Sequence, residues 1–221
     1  MLLRSLLDLH RRAVSVPRAE RVAAALADQI GRASSLLDVG SGDGVIALDL
    51  ARRVGADRVA GVDVHLRPVS AIPITPYDGE LLPFPDGAFE IVVLSDMLHH
   101  CARPGAVLAE ALRVASRAVA VKDHFRFGPL SGRILLAMDL VGNAAAGVLV
   151  RGTYFSPADF LDLVHAAGGR VASLAWPLRV HDLPFRLITG DKLQFAARVE
   201  RARPAAAPTP RSPTPSSEEA A

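Results

Sequence analysis

The chain has 221 residues, half of them hydrophobic, a formal net charge of +2 and one cysteine, Cys101. That length suits one domain with a proper core, and the hydrophobic fraction excludes a wholly disordered protein. The small net charge excludes a nucleic-acid-sized positive field, while a lone cysteine excludes an internal disulfide or a cysteine zinc site and is compatible with a reducing cytoplasm.

Two helical patterns occupy residues 1–32. Leu2 to Ala13 carries Leu2, Leu3, Leu6, Leu7 and Leu9 on one side, interrupted by Arg4 and Asp8. It lacks the continuous apolar centre of a signal peptide, and no run in the chain reaches the roughly 18 apolar residues that span a bilayer. The segment reads as an amphipathic helix packed on the domain, as a lid, or as a peripheral membrane contact. Pro17 to Ile30 has proline in a first-turn position and Gly31 as its stop.

The run Leu36-Leu37-Asp38-Val39-Gly40-Ser41-Gly42-Asp43-Gly44 comes next. An apolar strand, Ser35 to Val39, enters three glycines at alternate positions, and a helical pattern from Val45 to Val54 follows. Glycine lets the chain take positive φ and lets a ligand approach the backbone. The helix N-terminus adds unpaired N–H groups and partial positive charge. A dinucleotide fingerprint, G-x-G-x-x-G, would need its third glycine where Val45 stands. The acid Asp38, two residues before Gly40, suits a cationic ligand end and would repel a pyrophosphate. This stretch resembles motif I of the class I S-adenosylmethionine-dependent methyltransferases.

A second buried strand, Arg58 to Val64, ends in Asp63, 19 residues past Gly44. That is about where an α/β nucleotide site places a carboxylate on ribose hydroxyls. Pro68, Pro73 and Pro76 forbid a long helix in the next connection, so the third strand is short, around Ile72 to Thr75. Tyr77-Asp78-Gly79-Glu80 and Leu81-Leu82-Pro83-Phe84-Pro85-Asp86 follow, then Phe89-Glu90 and a strand from Ile91 to Ser95. This block resembles the LPFPD region of small-molecule methyltransferases, including the quinone-pathway C-methyltransferases. Glu90 stands where that family usually has aspartate. Leu98-His99-His100 continues the likeness.

The resemblance covers residues 33 to 200. It implies an α/β, Rossmann-like seven-stranded methyltransferase sheet of order 3-2-1-4-5-7-6, mostly parallel with an antiparallel last strand, plus a helical cap. It also implies S-adenosylmethionine as cofactor. Gly40, Ser41, Gly42 and Gly44 would cradle the methionine end and Asp38 would organise its amine. Asp63 with Val64 would take the ribose, Asp78 with Gly79 the adenine, and Ser95 with Asp96 would border the amine from the fourth strand. His100, His99 and His124, in that order, are the candidates for a general base if the acceptor must lose a proton. Adjacent histidines on a turn diverge and no metal-ligand spacing is present, so no metal is expected.

Pro104 to Ser116 reads as a helix and Arg117 to Val121 as the fifth strand, ending in Lys122-Asp123-His124, an acid/base group or a salt-bridged loop. Residues 126–153 are too long for a plain connection and read as a cap insertion with an apolar helix from Leu130 to Val141 interrupted by Arg133 and Asp139. Tyr154 follows. Ser156-Pro157-Ala158-Asp159 is a helix N-terminal signature. A sixth strand runs from Arg170 to Trp176, and Leu183 to Val199 supplies its hairpin partner. The domain thus spans 33–202, and 203–221, rich in Pro, Ala, Ser and Thr, is expected to be a disordered tail. The expected protein is a cytoplasmic methyltransferase acting on a small, hydrophobic or lipid-like acceptor, with no nucleic-acid partner. A non-catalytic S-adenosylmethionine-binding partner and an NAD-dependent oxidoreductase are the alternatives.

Overall fold

The computed structural model describes residues 14–143, 151–183, 186–187 and 190–202. The helix expected over Leu2 to Ala13 and the tail from Arg203 lie outside them. Helix α1 (Val16–Ile30) leads into β1 (Ser35–Val39), α2 (Val45–Val54) and β2 (Arg58–Asp63). Then come β3 (Ile74–Pro76), β4 (Phe89–Ser95), a 3₁₀ turn (Leu98–His100), α3 (Pro104–Val114) and β5 (Ala115–His124). The cap helix α4 (Pro129–Asn143), α5 (Pro157–Ala166), β6 (Gly169–Ala175) and β7 (Gln194–Arg201) complete the chain.

The strands form one seven-stranded sheet in the order β3-β2-β1-β4-β5-β7-β6. The first five are parallel, and β7 runs antiparallel to both β5 and β6. This is the expected fold. Continuous apolar strands are what a sheet buried on both faces requires, and the period of two sorts them. In β4, Ile91 and Val93 join the core under α1 and α2 with Leu26 and Leu50, whereas Val92 and Leu94 join the core under α3 and α5 with Leu108 and Phe160. Asp38 shares the parity of Leu36 and so points to the α1/α2 face.

Local signals fix the ends of the helices. Ser156 accepts from the Asp159 N–H while Asp159 accepts from the Ser156 N–H, a complete capping box before Pro157. Gly31 and Gly55 close α1 and α2 at positive φ. Several boundaries shift, the furthest being the last strand, which runs from Gln194 to Arg201 and not from Leu183 to Val199. Strand β3 begins at Ile74, two residues late, because Pro73 cannot donate to the ladder. Strand β5 runs on to His124, three residues past the expected end, because β7 pairs Lys122 with Ala196, Asp123 with Phe195 and His124 with Gln194. Lys122, Asp123 and His124 are therefore ladder residues with no loop freedom. No described helix is long and apolar enough to cross a membrane.

Candidate active site

Ligands of an open α/β sheet sit beyond the carboxyl ends of its strands, at the switch in strand order. Here β1 and β4 flank that switch. Gly40, Gly42 and Gly44 have φ of 72°, 59° and 74°, so the chain turns tightly from β1 into α2. The Gly40 and Ser41 N–H groups donate to Val62 O, and Gly44 N–H donates to Ser41 O. A Cβ on Gly44 would lie 2.5 Å from Ile72 Cγ1, but one on Gly42 would meet nothing within 4 Å. Gly44 is thus required by packing, while Gly42 borders open space.

Asp38 lies beneath this turn, 4% exposed. Burial, then the charges of Asp63 and Asp43, push its carboxyl up from 3.8 to about 7. No described cation pairs with it, so nothing described offsets the cost of ionising this buried acid. Asp63, at the end of β2, accepts from the Gly42 N–H (2.7 Å) and the His65 N–H (2.8 Å). It therefore holds the glycine turn, and its remaining lone pairs can still accept from a ligand. Val64 is half exposed, and its Cγ1 lies 3.3 Å from where a Gly79 Cβ would stand. Asp78 Oδ1 accepts from the Glu80 and Leu81 N–H groups and so shapes the turn beside Gly79 (φ 86°).

The ends of β4 and β5 hold a buried polar network. Asp96, at φ 52°, ion-pairs with Arg18 of α1 and with Lys122 of β5. Burial would raise its carboxyl, but Lys122 and Arg18 outweigh burial and hold it well below the usual range. Lys122, fully buried, also donates to Gln194 Oε1 at 2.6 Å. One step along, His99 Nδ1 lies 2.6 Å from Asp123 Oδ1. His99 Nε2 stands 3.1 Å from Asp139 Oδ2 of α4, an ion-pair distance without hydrogen-bond alignment. Tyr154 donates to the same Asp139. The His99 ring packs against those of His100, His124 and Tyr154, at centroid separations of 4.0, 5.1 and 5.4 Å.

These groups divide sharply in charge. Burial lowers His99, but Asp123 and Asp139 outweigh it and raise the group to about 10. Burial and then His99 lower His100, and burial and then Lys122 lower His124. His181, from the connection after β6, is lowered to about 4 by burial, Arg18 and Lys122. Among the described residues, Ser95 Oγ, His100 Nδ1, Asp123 Oδ2, His124 Nδ1 and Gln194 Nε2 are buried without a hydrogen-bond partner. Such atoms, gathered in one place, mark where water or a ligand completes the bonding.

Every sequence-derived candidate therefore lies at the carboxyl end of the sheet, in two groups. Asp38, Gly40, Ser41, Gly42, Gly44, Asp63, Val64, Asp78 and Gly79 surround the glycine turn and the end of β2. Ser95, Asp96, His99, His100 and His124 gather at β4 and β5. The sequence reading missed Arg18, Gln194 and the inward role of Asp139, whose only signal was a lone acid in an apolar helix. His99, Asp123 and His124, and likewise His99, His100 and Asp139, have ligand atoms within 4.8 Å of one another. Spacing between adjacent residues could not reveal these sets, because the carboxylates come from distant segments.

Residues 37–118 match the family model described as a methyltransferase domain. No curated protein matches the chain. Among solved structures, a putative Haloferax volcanii methyltransferase in complex with the Trm112 methyltransferase activator is similar, at 14% identity and TM-score 0.69, over 92% of this chain and 97% of that one. A SAM-dependent methyltransferase from Aquifex aeolicus is similar at 16% identity and TM-score 0.56, covering 86% and 92%. A SAM-dependent methyltransferase from Thermotoga maritima, a possible histamine N-methyltransferase, shares 15% identity and TM-score 0.59, covering 90% and 96%. Residues 37–118 thus match a methyltransferase domain, and the chain as a whole has the class I methyltransferase fold of these S-adenosylmethionine-dependent neighbours.

Proposed function

We propose that the protein transfers a methyl group from S-adenosylmethionine to a small acceptor that combines an apolar body with one polar, proton-bearing group. The observation that carries this reading is Asp38, a buried carboxylate with no described cation, placed under a glycine turn whose middle residue borders open space. The cofactor's amino acid end is cationic at its amine, so the residues fit it. Asp38 would neutralise that amine, Asp63 would accept from the ribose, and Asp78 would accept from the adenine amino group. When bound, the cofactor supplies an activated sulfonium methyl group, which needs little help beyond alignment.

The remaining work falls to the chain's own side chains. Helix α4, through Asp139, and Tyr154 would border the acceptor beside His99 and help to keep water out. His100 is half buried, neutral, and has an unpartnered Nδ1, so it is the first candidate to take the proton that the acceptor gives up. His124 is the second. The apolar body of the acceptor is inferred from the hydrophobic cap, where Ile134 and Leu135 face inward with Tyr154 and Leu193. The proton-bearing group is inferred from the polar atoms left without partners below it.

The test is transfer of labelled methyl from S-adenosylmethionine to phenolic, enolic and amine acceptors and to cell-extract metabolites, with the His100→Ala variant alongside. Transfer that falls at least about 100-fold in the variant supports both the reaction and the base. Intact cofactor binding with no transfer to any acceptor would instead favour a non-catalytic binding partner.

A further inference from the structure

We propose that His99 is a fixed cation and not a base, pinned between Asp123 of β5 and Asp139 of α4, so that it ties the cap helix to the sheet and keeps the adjoining His100 unprotonated. Geometry carries this. His99 is fully buried, and both of its ring nitrogens face carboxylates, at 2.6 and 3.1 Å. A neutral imidazole has only one N–H to offer, so one of two ionised carboxylates would face a bare nitrogen lone pair in a buried site. An imidazolium gives Asp123 an N–H and sets its positive charge against both carboxylates. The groups around it are Asp123 and His124 from β5, His100 from the 3₁₀ turn, Asp139 from α4, and Tyr154, which donates to Asp139.

Charge closes the argument. Asp96, Asp123 and Asp139 are matched by Arg18, Lys122 and His99. Removing the proton from His99 would take away the positive charge that stands between Asp123 and Asp139, which the low dielectric penalises. The same cation lies against His100, ring on ring at 4.0 Å, and like charge opposes a second proton there. The direction of both groups agrees, with His99 raised and His100 lowered. His99 is therefore a positioning residue. It acts through Asp139 on the cap and through its charge on His100. This deepens the methyl-transfer reading of the same site, but it is tested without cofactor or acceptor.

The experiment is nitrogen-15 NMR of the full-length protein with labelled histidine, from about pH 5 to about pH 8. His99 is expected to show two protonated nitrogens throughout, and His100 to titrate below the ordinary histidine value. A His99 that titrates near neutrality, or is a neutral tautomer at pH 7, overturns the proposal. Amide exchange then tests the tie. Asp139→Asn should speed exchange across 129–143 at least about tenfold while β1 and β4 keep their protection, and unchanged exchange in α4 overturns that part. In His99→Gln the His100 midpoint should rise, and a fall or no change contradicts the electrostatic link. Stoichiometric uptake of zinc, with loss of the Nδ1 proton signal of His99, would show a metal site in its place and overturn the proposal. If S-adenosylmethionine fails to bind while these results hold, the cofactor assignment falls and the fixed cation stands.

Discussion

Asp38→Asn isolates the group on which the cofactor site turns. Folding raises this acid from 3.8 to about 7, chiefly by burial. Between those values the native state holds it protonated while the unfolded chain is ionised. Its unfavourable contribution therefore starts above pH 3.8, grows with pH, and levels off above about pH 7. At 1.36 kcal/mol per pH unit this is about 1.5 kcal/mol at pH 5 and about 4 kcal/mol at pH 8. Asparagine has the same shape and no charge, so the variant should gain about 2–3 kcal/mol relative to wild type between those two pH values. Urea denaturation at pH 5 and pH 8 reads the difference directly. The same substitution removes the partner of the cofactor's amine, so a chain that folds better should bind worse. Wild-type affinity should strengthen as pH rises through about 7, whereas the variant's affinity should lose that step. A variant that gains nothing at pH 8, or one that binds S-adenosylmethionine as tightly as wild type, would refute the reasoning.

Asp63→Ala should weaken cofactor binding at least about tenfold, through lost ribose acceptors and a loosened Gly42 N–H; calorimetry with unchanged affinity would remove Asp63 from the site. Gly42→Val meets no protein atom within 4 Å but places a β-branched residue at φ 59°. It should cost about 1–3 kcal/mol of stability and abolish binding, and a variant with normal affinity would show that the open space beside Gly42 is not the cradle. Ser156→Ala removes one half of the capping box on α5. It should lower stability by about 1 kcal/mol in chemical denaturation and leave cofactor affinity unchanged, since α5 packs on the far core with Phe160 and Val164. A shift in affinity would tie α5 to the site.

The glycine turn and its acids were legible in sequence because they are local. Asp38, Gly40, Gly42 and Gly44 sit within seven residues, and the physical demand of each, positive φ or cationic company, can be read from neighbours alone. The sheet order came through the resemblance over 33–200, since local pattern cannot say which strands adjoin. The β4/β5 network was only half legible. Lys122, Asp123 and His124 look like a strand giving way to a loop, because three polar residues in a row break the hydrophobic pattern. They extend β5 instead because β7 pairs with them and because Lys122 meets Asp96, Asp123 meets His99, and His99 in turn meets Asp139 inside. Those partners come from β4, the turn after it, and α4, and Arg18 reaches in from α1. No window of sequence contains them together. His99 and His100 illustrate the cost. As adjacent histidines both were candidates for the same base, yet the fold gives His99 two carboxylates and His100 none within bonding distance among the described residues.

Calorimetric titration of the full chain with S-adenosylmethionine and S-adenosylhomocysteine, with NADH as control, tests the central claim most directly. The account predicts binding of the first two in the micromolar range, at about −8 kcal/mol, with proton uptake or release near pH 7 that disappears in Asp38→Asn, and no heat from NADH. Binding of NADH alone, or of none of the three, would contradict it.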